Sequence, residues 1–227
     1  MIVVTGASGG LGRPLVLELC KLDTVIGTYL RHKPELEKTS ARFFQVDVTD
    51  AESIARFVSV INAELTQVTL VNLAGLSINR LAMQLKPTEW NEVMGVNLTG
   101  AFLMSKALLP VMMRARWGRI INVSSVVAHL GVPGTCAYAA AKAGLVGLTK
   151  TLAQEYGRYD ITVNCLSLGY FSEGLIHTVP PAARKAILER IPLGRLGDVK
   201  EIARAIQYLR EAPYTTGSVM DLGGGLA

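Results

Sequence analysis

An apolar run, Ile2–Thr5, passes directly into Thr5-Gly6-Ala7-Ser8-Gly9-Gly10-Leu11-Gly12 and then into a helical pattern over Leu11–Lys21. Glycine permits tight turns and close approach of the backbone to a ligand. A helix that begins after such a loop offers unpaired N–H groups and a positive dipole end to an anion. A purely structural glycine turn has the same composition, so the context must decide. That context is repeated alternation. Short apolar runs at Thr24–Tyr29, Arg42–Asp47, Val68–Asn72, Arg119–Ser124, Ile161–Leu166 and Ser218–Leu222 predict strands, and Ala51–Glu64, Pro87–Arg114, Tyr138–Tyr156 and Asp198–Arg210 predict helices. The expected fold is α/β: a doubly wound parallel sheet of about seven strands, helices on both faces, crossovers right-handed. Ligands in such sheets bind beyond the carboxyl ends of the strands, where the strand order reverses. Gly131–Gly134 and Ser167–Pro181 read as loops at that edge, and a short helix, Ala182–Arg190, follows the second. Residues 168–192 are expected to act as a substrate lid.

At 227 residues, half of them hydrophobic and 18% charged, the chain is long enough for one globular domain over 1–227. No apolar run reaches the roughly 18 residues of a membrane span. Met1-Ile2-Val3-Val4 has no basic region ahead of it, so a cytoplasmic location is expected. Cys20, Cys136 and Cys165, like His32, His129 and His177, are too scattered for a disulfide framework or a metal set. The net charge of +5 favours anionic ligands. The basic residues are dispersed and form no aromatic-interleaved stripe, which argues against nucleic acid and for a phosphorylated cofactor or an acidic partner protein.

An acidic residue at the end of the second strand commonly holds the ribose hydroxyls of NAD. Here the segment is Thr28-Tyr29-Leu30-Arg31-His32-Lys33, with no carboxylate and three potential cations. It leans towards NADP(H), with Arg31 or Lys33 receiving the 2′-phosphate, although NAD is not excluded. A solvated basic loop would read the same way.

Tyr138-Ala139-Ala140-Ala141-Lys142 sets a phenol and an ammonium four residues apart in an alanine-rich stretch, hence on one helix face. A free tyrosine, with a pKa of about 10, is a poor acid–base catalyst at neutral pH, and a fixed cation beside it lowers that value. An ordinary helix surface would carry the same pair.

These residues together resemble the short-chain dehydrogenase/reductase family, of Rossmann type, and within it the 3-oxoacyl-[acyl-carrier-protein] reductase branch. The resemblance spans essentially the whole chain and rests on the Thr5–Gly12 loop, Asp47-Val48, Asn72-Leu73-Ala74-Gly75, Asn97, Ser125, Tyr138 and Lys142. It implies carbonyl reduction by hydride transfer from a nicotinamide, with Tyr138 as proton donor. Ser125, rather than its neighbour Ser124, would stabilise the developing alkoxide. Lys142 would lower the Tyr138 pKa and hold the ribose, and Asn97 would position a water linking Lys142 to solvent. The implied cofactor contacts are Gly6, Ser8, Gly9, Gly10, Leu11, Gly12, Arg31, Asp47, Val48, Asn72, Ala74, Gly75, Tyr138, Lys142, Gly169 and Phe171.

The chain departs from the family after the sixth strand. Leu168 takes the place of a usual proline and Glu173 that of a usual threonine, in a segment that contacts the nicotinamide carboxamide. Loss of the proline predicts a less rigid backbone. A carboxylate near the ring would favour the oxidised, cationic nicotinamide. Leu73 replaces a frequent asparagine, and Gly9 replaces an arginine common in NADP-using relatives. The apolar lid fits an acyl substrate. Arg114, Arg116, Arg119 and Arg158 are candidates for docking an acidic acyl carrier protein near the site entrance, and the helices at Asn97–Arg114 and Ala137–Gly147 for building a homotetramer or homodimer. Oxidation of a secondary alcohol, and a cofactor-binding regulatory role without catalysis, are the competing readings.

Overall fold

The computed structural model describes residues 1–36 and 39–226. Seven strands, β1 (Ile2–Val4), β2 (Val25–Tyr29), β3 (Arg42–Gln45), β4 (Val68–Asn72), β5 (Gly118–Ser125), β6 (Ile161–Leu168) and β7 (Val219–Leu222), form one sheet in the order β3-β2-β1-β4-β5-β6-β7. Every neighbouring pair is parallel. The order reverses between β1 and β4, so the crevice expected from the alternation opens there. Central strands are covered on both faces, which is why β1, β4, β5 and β6 are buried along their whole length. The edge strands β3 and β7 are not.

Helices α1 (Gly12–Leu19) and α8 (Val199–Glu211) cover one face, where Leu15, Val16, Ile202 and Ile206 pack on Ile2, Val4, Val71 and Ile121. On the other face α2 (Ala51–Ile61), α4 (Gly100–Ala115) and α6 (Cys136–Tyr156) bring Ile54, Met104, Leu108 and Leu152 onto Val3, Leu70, Ile120 and Val163. Each such side chain contributes about 1.5–3 kcal/mol on burial. Two helix starts follow from sequence. Asp50 accepts from Glu52 N at 2.9 Å, and Asp198 accepts from Lys200 N at 2.8 Å while Glu201 reaches back to Asp198 N at 2.8 Å.

The single helix expected over Pro87–Arg114 is interrupted. Between α3 (Pro87–Met94) and α4 lies a π-helical turn, Gly95–Thr99, with Asn97 at its centre. One extra residue per turn shifts the register of the side chains beyond it, and such turns concentrate at functional sites. Together Pro87–Ala115 is long and apolar enough to cross a membrane by length and composition, the one such stretch among the described residues, and half of its most apolar window is buried inside the protein. A short helix α5 (Val127–Leu130), absent from the expectations, follows β5. The expected lid is a 3-10 turn, Gly174–Thr178, followed by α7 (Pro181–Arg190), which buries none of its residues.

Leu168 is the last residue of β6. It aligns with Ser125 on one side and Leu222 on the other, and its carbonyl accepts from Val126 N at 2.9 Å. β6 thus continues to 168, two residues beyond the expected end at Leu166.

Candidate active site

The glycine loop joins β1 to α1, and its glycines are required by contact. A β-carbon on Gly12 would lie 2.3 Å from the Gly6 carbonyl oxygen, and one on Gly6, whose φ is +70°, would lie 2.7 Å from Ala74 Cα. Thr5 Oγ1 accepts from both Leu73 N and Ala74 N at 3.0 Å, tying the loop after β1 to the loop after β4. Gly9 and Gly10 are left exposed over the start of α1. This is a cradle that side chains would fill, backed by a helix N-terminus, and a dinucleotide diphosphate fits it. Arg31 and Lys33 stand exposed just past β2.

The polar residues expected from sequence gather around the next two crossovers. Ser125 is the last residue of β5 and is buried, its Oγ accepting from Val127 N at 3.3 Å. Tyr138 and Lys142 share a face of α6, with the Lys142 Nζ 5.5 Å from the centroid of the tyrosine ring. Lys142 is 3% exposed, and its Nζ donates to Val123 O at 2.7 Å. Ser124 turns the other way and donates to Lys142 O at 2.8 Å, the alternation a strand imposes. Asn97 donates to Leu76 O at 2.7 Å and Val93 O at 2.8 Å, and accepts from Leu76 N at 3.3 Å. The π turn thus clamps the loop after β4. A β-carbon on Gly75 would be 3.1 Å from Asn97 Oδ1 and 3.7 Å from Lys142 Nζ, so these groups border one space.

The electrostatics differ from the sequence expectation. Burial pushes the Tyr138 phenol up to about 12, with only a loose hydrogen-bonding interaction with Ser125 opposing it. Tyr138 keeps part of its surface accessible. Burial also brings Lys142 down to about 8. Loss of solvent dominates at both groups, and the Lys142 Nζ is turned to a β5 carbonyl.

Some expected cofactor contacts are placed otherwise. The Asn72 amide faces the interior, donating to Asn122 Oδ1 at 2.8 Å, Ser105 Oγ at 3.2 Å and Ala101 O at 3.3 Å. The Phe171 ring is buried against Gly197 in the core, which leaves only its backbone for a ligand. Asp47 accepts from Thr49 N at 2.8 Å and Thr49 Oγ1 at 2.6 Å in the turn into α2, and Val48 is packed beneath Gly100. Ala74 and Gly75 line the loop beside the cradle, and Gly169 follows β6 with its N bonded to Leu222 O. The segment around Glu173 meets the glycine loop: Gly174 touches Gly10 and the Leu11 side chain. No sequence signal pointed to the clamp on Leu76 or to the Thr5 tie, since both join residues remote along the chain.

The docking arginines are a correction. Arg114, Arg116, Arg119 and Arg158 lie at the end of α4, the start of β5 and the turn before β6, the edge of the sheet opposite the site of their own chain. Arg119 is buried, donating to Gly118 O, Asp160 O and Arg210 O. Among the described residues no cluster of metal-ligating side chains occurs.

A short chain dehydrogenase family profile matches residues 1–182. The chain is 39% identical to the 3-oxoacyl-[acyl-carrier-protein] reductase FabG of Pseudomonas aeruginosa over 236 residues, covering 99% of this chain and 96% of the relative. It is 40% identical to the reductase of the same name from Vibrio harveyi and 38% identical to that of Escherichia coli, each over 233 residues at the same coverage. With the glycine cradle, the β5 serine and the α6 tyrosine–lysine pair already in place, this similarity makes the chain a member of the short-chain dehydrogenase family.

Proposed function

We propose that the protein is an NADPH-dependent reductase of the ketone in a 3-oxoacyl thioester, the substrate class named for its relatives. The observation that carries this reading is the convergence of Ser125, Tyr138, Lys142 and Asn97 beside a glycine cradle at the carboxyl edge of the sheet. When bound, the reduced nicotinamide supplies the hydride. Gly9, Gly10 and the start of α1 hold the diphosphate, Ala74, Gly75 and Gly169 border the rest of the dinucleotide, and Arg31 and Lys33 meet the 2′-phosphate. Ser125 donates to the substrate oxygen as charge develops on it, and Tyr138 gives that oxygen its proton. Lys142 Nζ has donors beyond the one spent on Val123 O, and these hold the cofactor ribose and restore the proton to Tyr138. Asn97 keeps the loop at Leu76 in place beside them.

The Tyr138 phenol keeps its proton at neutral pH, as a proton donor must before it acts. The exposed Leu175 and half-buried Val179 of the lid suit an acyl chain. An acidic carrier protein would meet exposed cations on the site's own edge, such as Lys185 and Arg190 of the lid helix. We assign a homotetramer or homodimer to faces that carry the exposed Phe102 of α4 and Gly147 of α6, where a β-carbon would meet nothing within 4 Å. A cytoplasmic enzyme fits the same reading.

The test is NADPH and NADH oxidation against a panel of 3-oxoacyl thioesters and simple ketones. Tyr138→Phe is expected to lower kcat by about 10²–10⁴-fold with dinucleotide binding retained. Full activity in Tyr138→Phe would rule out the proton-donor role, and a strong NADH preference would rule out the NADP assignment.

A further inference from the structure

We infer that Glu173 is an affinity-lowering residue for the dinucleotide: a carboxylate carried on the strap that closes over the diphosphate cradle. This rests on the cofactor reading above and adds to it a residue that opposes binding. A β-carbon on Gly10 would lie 2.7 Å from Gly174 Cα and 3.1 Å from Gly174 N, and Gly174 in turn meets the Leu11 side chain and N. The strap backbone therefore rests on the exposed part of the glycine loop. Gly174 holds φ +84°, a conformation that suits glycine and turns the chain sharply into the 3-10 segment Gly174–Thr178.

Glu173 precedes this contact by one residue. Consecutive Cα atoms are about 3.8 Å apart, so Glu173 stands one residue from the Gly10 contact, and at about 0.01 M salt, where the Debye length is about 30 Å, its charge is felt at the loop. The side chain is exposed, and its ionic partner is His177, with Nε2 and Oε2 3.7 Å apart. A diphosphate on Gly9 and Gly10 meets a like charge that the Ser172 hydroxyl on the same strap does not present.

The test is equilibrium binding of NADPH and of NADH, by titration of the full chain at pH 8. Wild type is compared with Glu173→Gln, Glu173→Thr and the lid-helix control Glu189→Gln, at low salt and near 0.5 M. Both Glu173 variants are expected to bind both dinucleotides about three- to tenfold more tightly at low salt, the size of a charge repulsion across a partly solvated gap. The gain should shrink at high salt, and Glu189→Gln should change little. Unchanged affinity in both Glu173 variants overturns the proposal. So does tightening confined to NADPH, which would place the repulsion at the 2′-phosphate, or equal tightening in Glu189→Gln, which would reduce it to net charge. A wild-type protein that binds neither dinucleotide overturns the cofactor reading itself, and this proposal with it.

Discussion

Two cations are buried against β5, one at each end, and the protein treats them differently. At the amino-terminal end the Arg119 guanidinium donates to the carbonyls of Gly118 at 2.8 Å, Asp160 at 2.9 Å and Arg210 at 3.1 Å, and stacks 4.5 Å from the Trp117 ring. At the carboxyl end Lys142 Nζ has one acceptor among the described residues, Val123 O, for three donors. Both lose solvent, and burial lowers both pKa values, but only Lys142 is brought near neutrality, to about 8. A buried cation tied to three backbone carbonyls, with the Asp160 carboxylate 4.0 Å away, is part of the framework. One with donors to spare, beside Tyr138 and Gly75, is available for chemistry.

Exchanging each cation for an uncharged chain of similar length separates the two roles. Lys142→Met is expected to cut kcat/KM by about 10²–10³-fold while the folded protein loses little stability, since a costly buried charge goes with it. Steady-state kinetics alongside urea unfolding reads both; a variant that turns over normally would remove Lys142 from the mechanism. Arg119→Met should do the reverse. Three carbonyls lose their partner, which costs about 2–4 kcal/mol in urea unfolding, and kcat of the folded enzyme is retained. A selective fall in kcat there would erase the contrast.

The pH dependence of stability sharpens it further. The folded Lys142 pKa of about 8 lies below its ordinary 10.5, so between these values the unfolded chain binds more protons. Wild type should therefore gain stability relative to Lys142→Met as pH rises from 8 to 10.5, with a slope of up to about 1.4 kcal/mol per pH unit. Matching slopes in the two proteins would show that Lys142 is not desolvated. The smallest effect belongs to Trp117→Leu. Loss of the ring beneath Arg119 should cost about 1 kcal/mol with no kinetic consequence.

The parts of this molecule legible in its sequence are those written locally. Strand and helix periodicity, the Thr5–Gly12 loop and the four-residue spacing of Tyr138 and Lys142 each need only a short window. What escaped depends on neighbours remote in the chain. The π turn at Gly95–Thr99 has the composition of plain helix, and its purpose is visible only once Asn97 meets Leu76. Arg119 looked like a surface cation because two of its three acceptors, Asp160 O and Arg210 O, come from parts of the chain remote in sequence. Asn72 sits in a motif associated with the crevice, yet its amide is claimed by Ser105 and Asn122 from α4 and β5. The Tyr138 pKa could not be judged from a nearby cation alone, because desolvation depends on the whole enclosure.

The Thr5 hydroxyl receives two amides of the loop after β4 while its own strand runs into the glycine loop. The two halves of the doubly wound sheet are thus pinned to each other at the rim of the crevice. Amide hydrogen exchange should find Leu73 and Ala74 slow and Gly174–Thr178 fast; the opposite order would mean that the rim itself opens. One wall of the cleft is thus tied by hydrogen bonds, while the other meets it where Gly10 faces Gly174, a seam of backbone against backbone.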